Sequence, residues 1–276
     1  MSSNIGVGVC CVAAMDNASR TLGCCRTLGY GLLVILWFCG FGVHRGTALH
    51  NDFVTRAYNN YSHKEGLDHW ENYGYHYSQH LHSLRNLETI NMLEIGVSAG
   101  GSSRLWYDVF GAALRYTGVD INPACAQFTD AALNIEIIIG SQLNKTFLGV
   151  ICQNYGPFDV VIDDGGHTSQ MIITSFEILW PCMRNSGIYV IEDLHSMWMW
   201  KGNEDMTVDG QDVYGFFGDM GRESTSHLSH NLHYTGHHPL GKHIASMHFY
   251  DSMIFLHYQE AWTDLKRFQK GEKFLT

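Results

Sequence analysis

Asn91-Met92-Leu93-Glu94-Ile95-Gly96-Val97-Ser98-Ala99-Gly100-Gly101 is an apolar run that ends in glycines. It reads as a first strand closing in a turn, and Ser102 to Phe110 reads as the helix that follows. From about His44 onward the same alternation of short apolar runs and helical patterns recurs. Arg115 to Asp120 is a second strand, Ile135 to Ile139 a third, and Phe158 to Asp163 a fourth. A helix over Ser169 to Met183 leads to a fifth strand over Gly187 to Glu192. That rhythm predicts an α/β domain with a mostly parallel sheet. Ala245 to Tyr250 and Met253 to His257 are separated only by Asp251 and Ser252. Strands that close together must be antiparallel, because a parallel pair needs a crossover of a dozen or more residues. The expectation is a Rossmann-like, seven-stranded sheet that finishes in an antiparallel hairpin. No internal repeat is visible.

The glycine turn predicts a nucleotide-like cofactor at the strand's carboxyl end. A dinucleotide fingerprint needs a second glycine where backbone approaches a pyrophosphate. Here that position is Ser98, with the next glycines at Gly100 and Gly101. Glu94 beside the turn would attract an ammonium group and repel a pyrophosphate. Both features favour S-adenosylmethionine over a nicotinamide dinucleotide, with Gly96, Ser98 and Gly100 shaping the turn. Asp120 ends the second strand, where a carboxylate accepts ribose hydroxyls; a helix cap before Asn122-Pro123 is the other reading. Gly140-Ser141-Gln142 ends the third strand, and Gln142 is placed either to contact adenine or in a plain turn.

Asp163-Asp164-Gly165-Gly166-His167 ends the fourth strand and Glu192-Asp193-Leu194-His195 the fifth. Neighbouring strand ends converge on the ligand crevice of an open α/β sheet. Up to four carboxylates would meet there and raise one another's pKa values. A divalent cation relieves this, and all-oxygen ligation points to Mg²⁺, with Mn²⁺ or Ca²⁺ as alternatives. Such a cation lowers the pKa of an acceptor hydroxyl. His167 is the candidate base, read otherwise as an ordinary histidine at a helix start. His195 would line the acceptor pocket. The cluster His227, His230, His233, His237 and His238 reads either as a metal site or as a solvated polar face.

The combination LEIGVSAGGSSRLW (93–106), YTGVDINP (116–123), FDVVIDDGGHTS (158–169), GIYVIEDLHS (187–196) and SMHFYDSMIF (246–255) resembles a known group. It is similar to the metal-dependent sugar O-methyltransferases of macrolide biosynthesis, including the macrocin and mycinamicin enzymes, and to the cephalosporin hydroxylase-like proteins. The resemblance implies a class I methyltransferase with Asp164, Glu192 and Asp193 as Mg²⁺ ligands and His167 as general base. It implies S-adenosylmethionine contacts from Glu94, Gly96 and Asp120; Ser98, Gly100, Gln142 and Asp163 complete the expected cofactor set. The segment KEGLDHWENYGYHY (64–77) is similar to a stretch that closes the cofactor site in that group. The expected acceptor is a hydroxyl on a sugar or glycoside, with a catechol-like molecule or a non-catalytic cofactor-binding module as alternatives.

The chain has 276 residues and a formal net charge of −10. An acidic surface argues against a nucleic-acid partner, which needs Lys and Arg to release counterions. Self-association is left open. Of the eight cysteines, Cys10, Cys11, Cys24, Cys25 and Cys39 lie in the N-terminal part. Cys125, Cys152 and Cys182 match no metal or redox spacing and read as small buried hydrophobes without a disulfide.

Leu28 to Val43 is a charge-free apolar run after a tail over 1–27, with Arg20 and Arg26 before it. It reads as a signal-anchor helix, a cleaved signal peptide, or a helix packed on the domain over 44–276. A bilayer span needs roughly 17–25 residues. The signal-anchor reading implies a membrane-anchored protein of the secretory pathway with a lumenal domain. Asn60 and Asn144 would then be glycosylation acceptors. The polar, Gly- and His-rich stretch from Met199 to Leu240 is expected to be an insertion over the site.

Overall fold

The computed structural model describes residues 52–199, 207–226 and 239–260, all within one unit, His44–Thr276. The tail, the apolar run and the histidine cluster 227–238 lie outside the described residues. Seven strands form one sheet: β1 (Ile90–Ile95), β2 (Leu114–Asp120), β3 (Ile135–Ile139), β4 (Phe158–Asp163), β5 (Met183–Ile191), β6 (Ile244–Tyr250) and β7 (Met253–Tyr258). Their order is β3-β2-β1-β4-β5-β7-β6. Strands β1 to β5 pair in parallel, whereas β7 runs antiparallel to both β5 and β6. The expected parallel sheet with its terminal hairpin is therefore present.

Strand β4 is buried at every position, and β1 at all but Asn91. Helices cover both faces, so these strands read as continuous apolar runs. Because successive side chains point to opposite faces, Leu93 and Val161 enter one core cluster and Met92 and Val160 the other. The first cluster takes its helical side chains from α4 (Lys145–Tyr155), α5 (Ser169–Leu179) and α7 (Val213–Ser226). The second takes them from α1 (Phe53–Asn60), α2 (Glu71–His80) and α3 (Gly101–Phe110). Fully burying a side chain such as Phe176 or Leu93 contributes roughly 1.5–3 kcal/mol. Between β5 and the hairpin, α6 (Ser196–Met199) is a single turn.

Side-chain caps fix several helix starts. Asp52 accepts from Thr55 N, Asn144 from Phe147 N, and Thr168 from Met171 N. Thr168 thereby sets where α5 begins, two residues after His167. The helix expected to reach Met183 stops at Leu179, and a 3₁₀ turn over Trp180–Cys182 follows. Pro181 has no N–H to give a longer helix, and β5 starts at Met183 instead of Gly187.

Two further findings differ from the sequence reading. Cys152 and Cys182 form a disulfide, with Cα atoms 5.8 Å apart. The crossover from α4 through β4 and α5 returns the chain beside its own start, a proximity that sequence spacing does not encode. Within the stretch 199–240, α7 places Val213, Phe217 and Met220 in the core cluster beside α5. Its apolar face belongs to the helical layer of the sheet.

Candidate active site

The crevice lies at the carboxyl ends of β1, β2, β4 and β5, where strand order reverses between β1 and β4. Such a switch point leaves room for a ligand. A cavity of about 760 Å³ occupies it, lined by the β1 turn, Asp120, Gln142, Asp164, His167 and the loop Gly66–His69. That volume is in the range of cofactor pockets, roughly 300–1,000 Å³.

The turn is shaped by close backbone approach. Gly96 has φ +97°, and a Cβ there would overlap the Asp164 carbonyl oxygen. Gly96 N–H donates to Val119 O at 2.8 Å, and Asp164 N–H donates to Ile95 O at 3.0 Å. The β1 turn is thus fastened to β2 and β4 together. Asp120 Oδ2 accepts from both Val97 N and Ser98 N at 2.9 Å, and Oδ1 accepts from Asn122 N at 2.8 Å. The Asp120 carboxylate is consequently held rigid at the cavity wall. Gly101 packs so closely on Gly66 that a Cβ would overlap the Gly66 carbonyl oxygen. This contact holds the 66–69 loop against the turn.

Of the expected cofactor residues, Gly96, Ser98, Asp120 and Gln142 line the cavity. Glu94, Gly100 and Asp163 stand behind its wall. Glu94 is 1% exposed and accepts from Tyr116 OH at 2.7 Å; burial pushes its carboxyl up to about 7. Asp163 accepts from Ser175 Oγ and from Gln142 Nε2, and burial pushes it up to about 6. Gln142 Oε1 in turn accepts from Gly166 N at 2.9 Å. Asp163 and Gln142 therefore brace the turn that presents Asp164 and His167.

Asp164, Glu192 and Asp193 converge at the rim between this cavity and a second one of about 460 Å³. Burial, then Glu192, Glu94 and Asp193, hold the Asp164 carboxyl well above the usual range. His167 Nε2 is 4.0 Å from Asp193 Oδ2. Asp164, His167 and Asp193 each offer a ligand atom within 4.8 Å of the others. Burial keeps His167 below its ordinary pKa, against the pull of Asp193 and Glu192. His195 Nδ1 is 2.6 Å from Ser252 Oγ and 3.9 Å from Asp193 Oδ1, and the residue lines the second cavity with Asp68, His69 and Trp70.

Three partners of this cluster were not singled out in the sequence. Tyr73 OH donates to Asp193 Oδ1 at 2.6 Å, Tyr77 OH donates to Glu192 Oε1, and His69 Nδ1 is 3.4 Å from Glu192 Oε2. The signal available was the spacing of Tyr73 and Tyr77, which puts both on one face of α2.

Residues 93–194 match the profile of a family described as a methyltransferase domain. The chain carries the methyltransferase fold. It is 40% identical over 146 residues to mycinamicin VI 2''-O-methyltransferase of Micromonospora griseorubida, covering 50% of this chain and 35% of that protein. It is 36% identical over 159 residues to a rhamnosyl-tetracenomycin-C 3'-O-methyltransferase of Streptomyces olivaceus, covering 55% and 39%. Among solved structures, the MycE methyltransferase of the mycinamycin pathway, in complex with Mg and SAH, superposes with a TM-score of 0.63. That match is 29% identical and covers 75% of this chain and 54% of the other. The chain thus spans about a third to a half of the length of these relatives, and it resembles the sugar O-methyltransferases of macrolide biosynthesis.

The expected secretory location, with a membrane anchor and a lumenal catalytic domain, does not hold. Among the described residues no helix is long and apolar enough to cross a membrane. The relatives that the chain matches come from Micromonospora and Streptomyces, and the apolar run over 28–43 lies outside the described residues.

Proposed function

We propose that this chain is an S-adenosylmethionine- and divalent-cation-dependent O-methyltransferase acting on a hydroxyl of a sugar or glycoside. The observation that carries the proposal is the meeting of Asp164, His167 and Asp193 at the rim of a cofactor-sized cavity.

The residues present fit both groups. The cavity offers Asp120 for ribose hydroxyls and Gln142 at the adenine side, with Gly96 and Ser98 lining the turn. Glu94 supports that turn from behind through Tyr116. The carboxylates of Asp164, Glu192 and Asp193 repel one another and, among the described residues, have no Lys or Arg among their ion-pair partners. An all-oxygen donor set of this kind suits Mg²⁺. Bound there, the cation would supply Lewis acidity toward an acceptor hydroxyl, and S-adenosylmethionine would supply the methyl group.

The chain's own residues do the rest. Tyr73 and Tyr77 orient Asp193 and Glu192 through their hydroxyls, as outer partners of a ligand set do. His167, kept neutral by burial, accepts the acceptor's proton at Nε2, and Asp193 at 4.0 Å stabilises the imidazolium that results. The second cavity is polar, walled by Asp68, His69 and His195, with the half-exposed Trp70 ring as an aromatic face. Polar walls and one ring suit a sugar better than a catechol.

The test is methyl transfer from labelled S-adenosylmethionine to parallel panels of glycosides and catechols, with and without a chelator. Glycoside methylation that needs Mg²⁺ and falls at least a hundredfold in Asp164→Asn is expected. Chelator-insensitive transfer, or an Asp164→Asn variant equal to wild type, would sink the proposal.

A further inference from the structure

Away from the acidic cluster, three imidazoles meet where α2 crosses the β6–β7 hairpin. His80 is the last residue of α2, His248 lies on β6 and His257 on β7. The hairpin pairs Ser246 with His257 and His248 with Phe255. Directly opposed residues share a face of the sheet, so both hairpin histidines point to the side that α2 covers. His80 Nδ1 is 2.8 Å from His257 Nε2. The His80 ring stacks on Phe255 with centroids 4.3 Å apart, and the His248 ring lies 4.8 Å away. One ring nitrogen from each histidine falls within 4.8 Å of the other two. None of the three lines either cavity described above.

Two of these imidazoles, His80 and His257, resist protonation. Burial, then His257, His248 and His76, push His80 down to about 3, and burial and His248 lower His257. What the group offers is lone pairs, with no carboxylate among its hydrogen-bonding partners in the described residues. Three imidazoles are ligands for a borderline cation such as Zn²⁺, Co²⁺, Ni²⁺ or Cu²⁺, and poor ones for Mg²⁺ or Ca²⁺.

The surroundings are built for ligation. His80 Nε2 is 2.9 Å from Tyr250 OH. A proton on Nε2 donated to that oxygen directs the Nδ1 lone pair toward His257 Nε2, and an outer hydrogen bond of this kind fixes a ligand's tautomer. His76, one helical turn before His80, stacks on Tyr250 at 4.0 Å. Its Nδ1 is buried without a hydrogen-bond partner, a costly arrangement unless something completes it.

We propose that His80, His248 and His257 form a second cation site, for a divalent metal of the zinc class, distinct from the carboxylate cluster. The site staples the carboxyl end of α2 to the β6–β7 hairpin. The same helix carries Tyr73 and Tyr77, so the staple also holds the two hydroxyls that orient Asp193 and Glu192.

The test uses the full chain, stripped with a chelator and titrated with Zn²⁺ by calorimetry and with Co²⁺ by visible absorption. One equivalent of Zn²⁺ should bind in wild type and persist in Asp164→Asn and in His230→Gln/His233→Gln. His257→Gln and His248→Gln should each weaken it at least about 100-fold, beyond the ~10–100-fold that an outer partner costs. Equal affinity in wild type and His257→Gln overturns the proposal. A second measurement needs no variant: carbethoxylation of histidines, mapped by mass spectrometry with and without Zn²⁺. Protection of His80, His248 and His257 by Zn²⁺ supports the site, and unchanged labelling of all three overturns it.

Discussion

Glu94 shows how a single buried carboxyl shapes the behaviour of the turn around it. In the folded chain its pKa is about 7, against 4.5 for the free side chain, with burial as the main cause. Between those values the folded state holds a proton that the unfolded state has released, so stability falls as pH rises. The contribution is fully present below 4.5 and is lost by about 7, and it is on the order of 3 kcal/mol. Glu94→Gln keeps an acceptor for Tyr116 OH and removes this titration. Urea unfolding of the variant should therefore show a shallower decline between pH 6 and 7, the remainder coming from Asp164, whose carboxyl is raised with the same sign. The part below about 6 persists, because Asp163 titrates there with the same sign. A variant whose stability still falls between pH 6 and 7 as wild type does would show that Glu94 is not the group responsible. Gly101 offers a steric counterpart. A methyl at Gly101 must displace the Gly66 carbonyl, so Gly101→Ala should cost roughly 1–3 kcal/mol and weaken cofactor binding through the 66–69 loop.

Helix α2 is the element on which the candidate site depends most, although it contributes nothing to the sheet. Tyr73→Phe with Tyr77→Phe removes the hydroxyls that meet Asp193 and Glu192. Loss of such outer partners should weaken Mg²⁺ binding by roughly 10–100-fold. Neither tyrosine lines the larger cavity, so S-adenosylmethionine affinity should stay near wild type. Calorimetric titration of each ligand separates these outcomes, and parallel loss of both would mean that the helix itself has shifted. The strands β1, β4 and β5 were legible because apolar runs bounded by glycine and acidic residues carry their own signal. Which of Asp163 and Asp164 faces the crevice was not, since adjacent strand residues point to opposite sides and the register settles only in the folded sheet. The partners Tyr73 and Tyr77 were hidden for another reason. They meet their carboxylates across more than a hundred residues of chain, a distance over which local pattern says nothing. Pro181 illustrates the opposite case: its effect on α5 is local, and the early helix stop could have been read from it.

At the scale of the whole molecule, the sheet is fastened at places that its hydrogen bonds alone do not secure. On one flank α2 meets the β6–β7 hairpin through the histidine trio. On the other, the Cys152–Cys182 disulfide joins α4 to the 3₁₀ turn that precedes β5 and encloses β4 and α5, with a sequence separation of 30. That closed loop contains Asp163, Asp164 and His167, together with Thr168, which caps α5. Closing a loop of this size restricts the unfolded chain by about 3–4 kcal/mol in the entropic account. The folded geometry of the crevice does not depend on it, because neither cysteine lines the cavity. Reduction should therefore lower the urea midpoint of wild type while leaving S-adenosylmethionine affinity nearly unchanged. Cys152→Ser/Cys182→Ser should unfold at the midpoint of reduced wild type and show no response to reductant. Intact-mass measurement before and after reduction checks the same bond directly, through the gain of two hydrogens. If wild type unfolds identically with and without reductant, the flank is held by packing of α4 and α5 on β4, and the bond contributes nothing to stability.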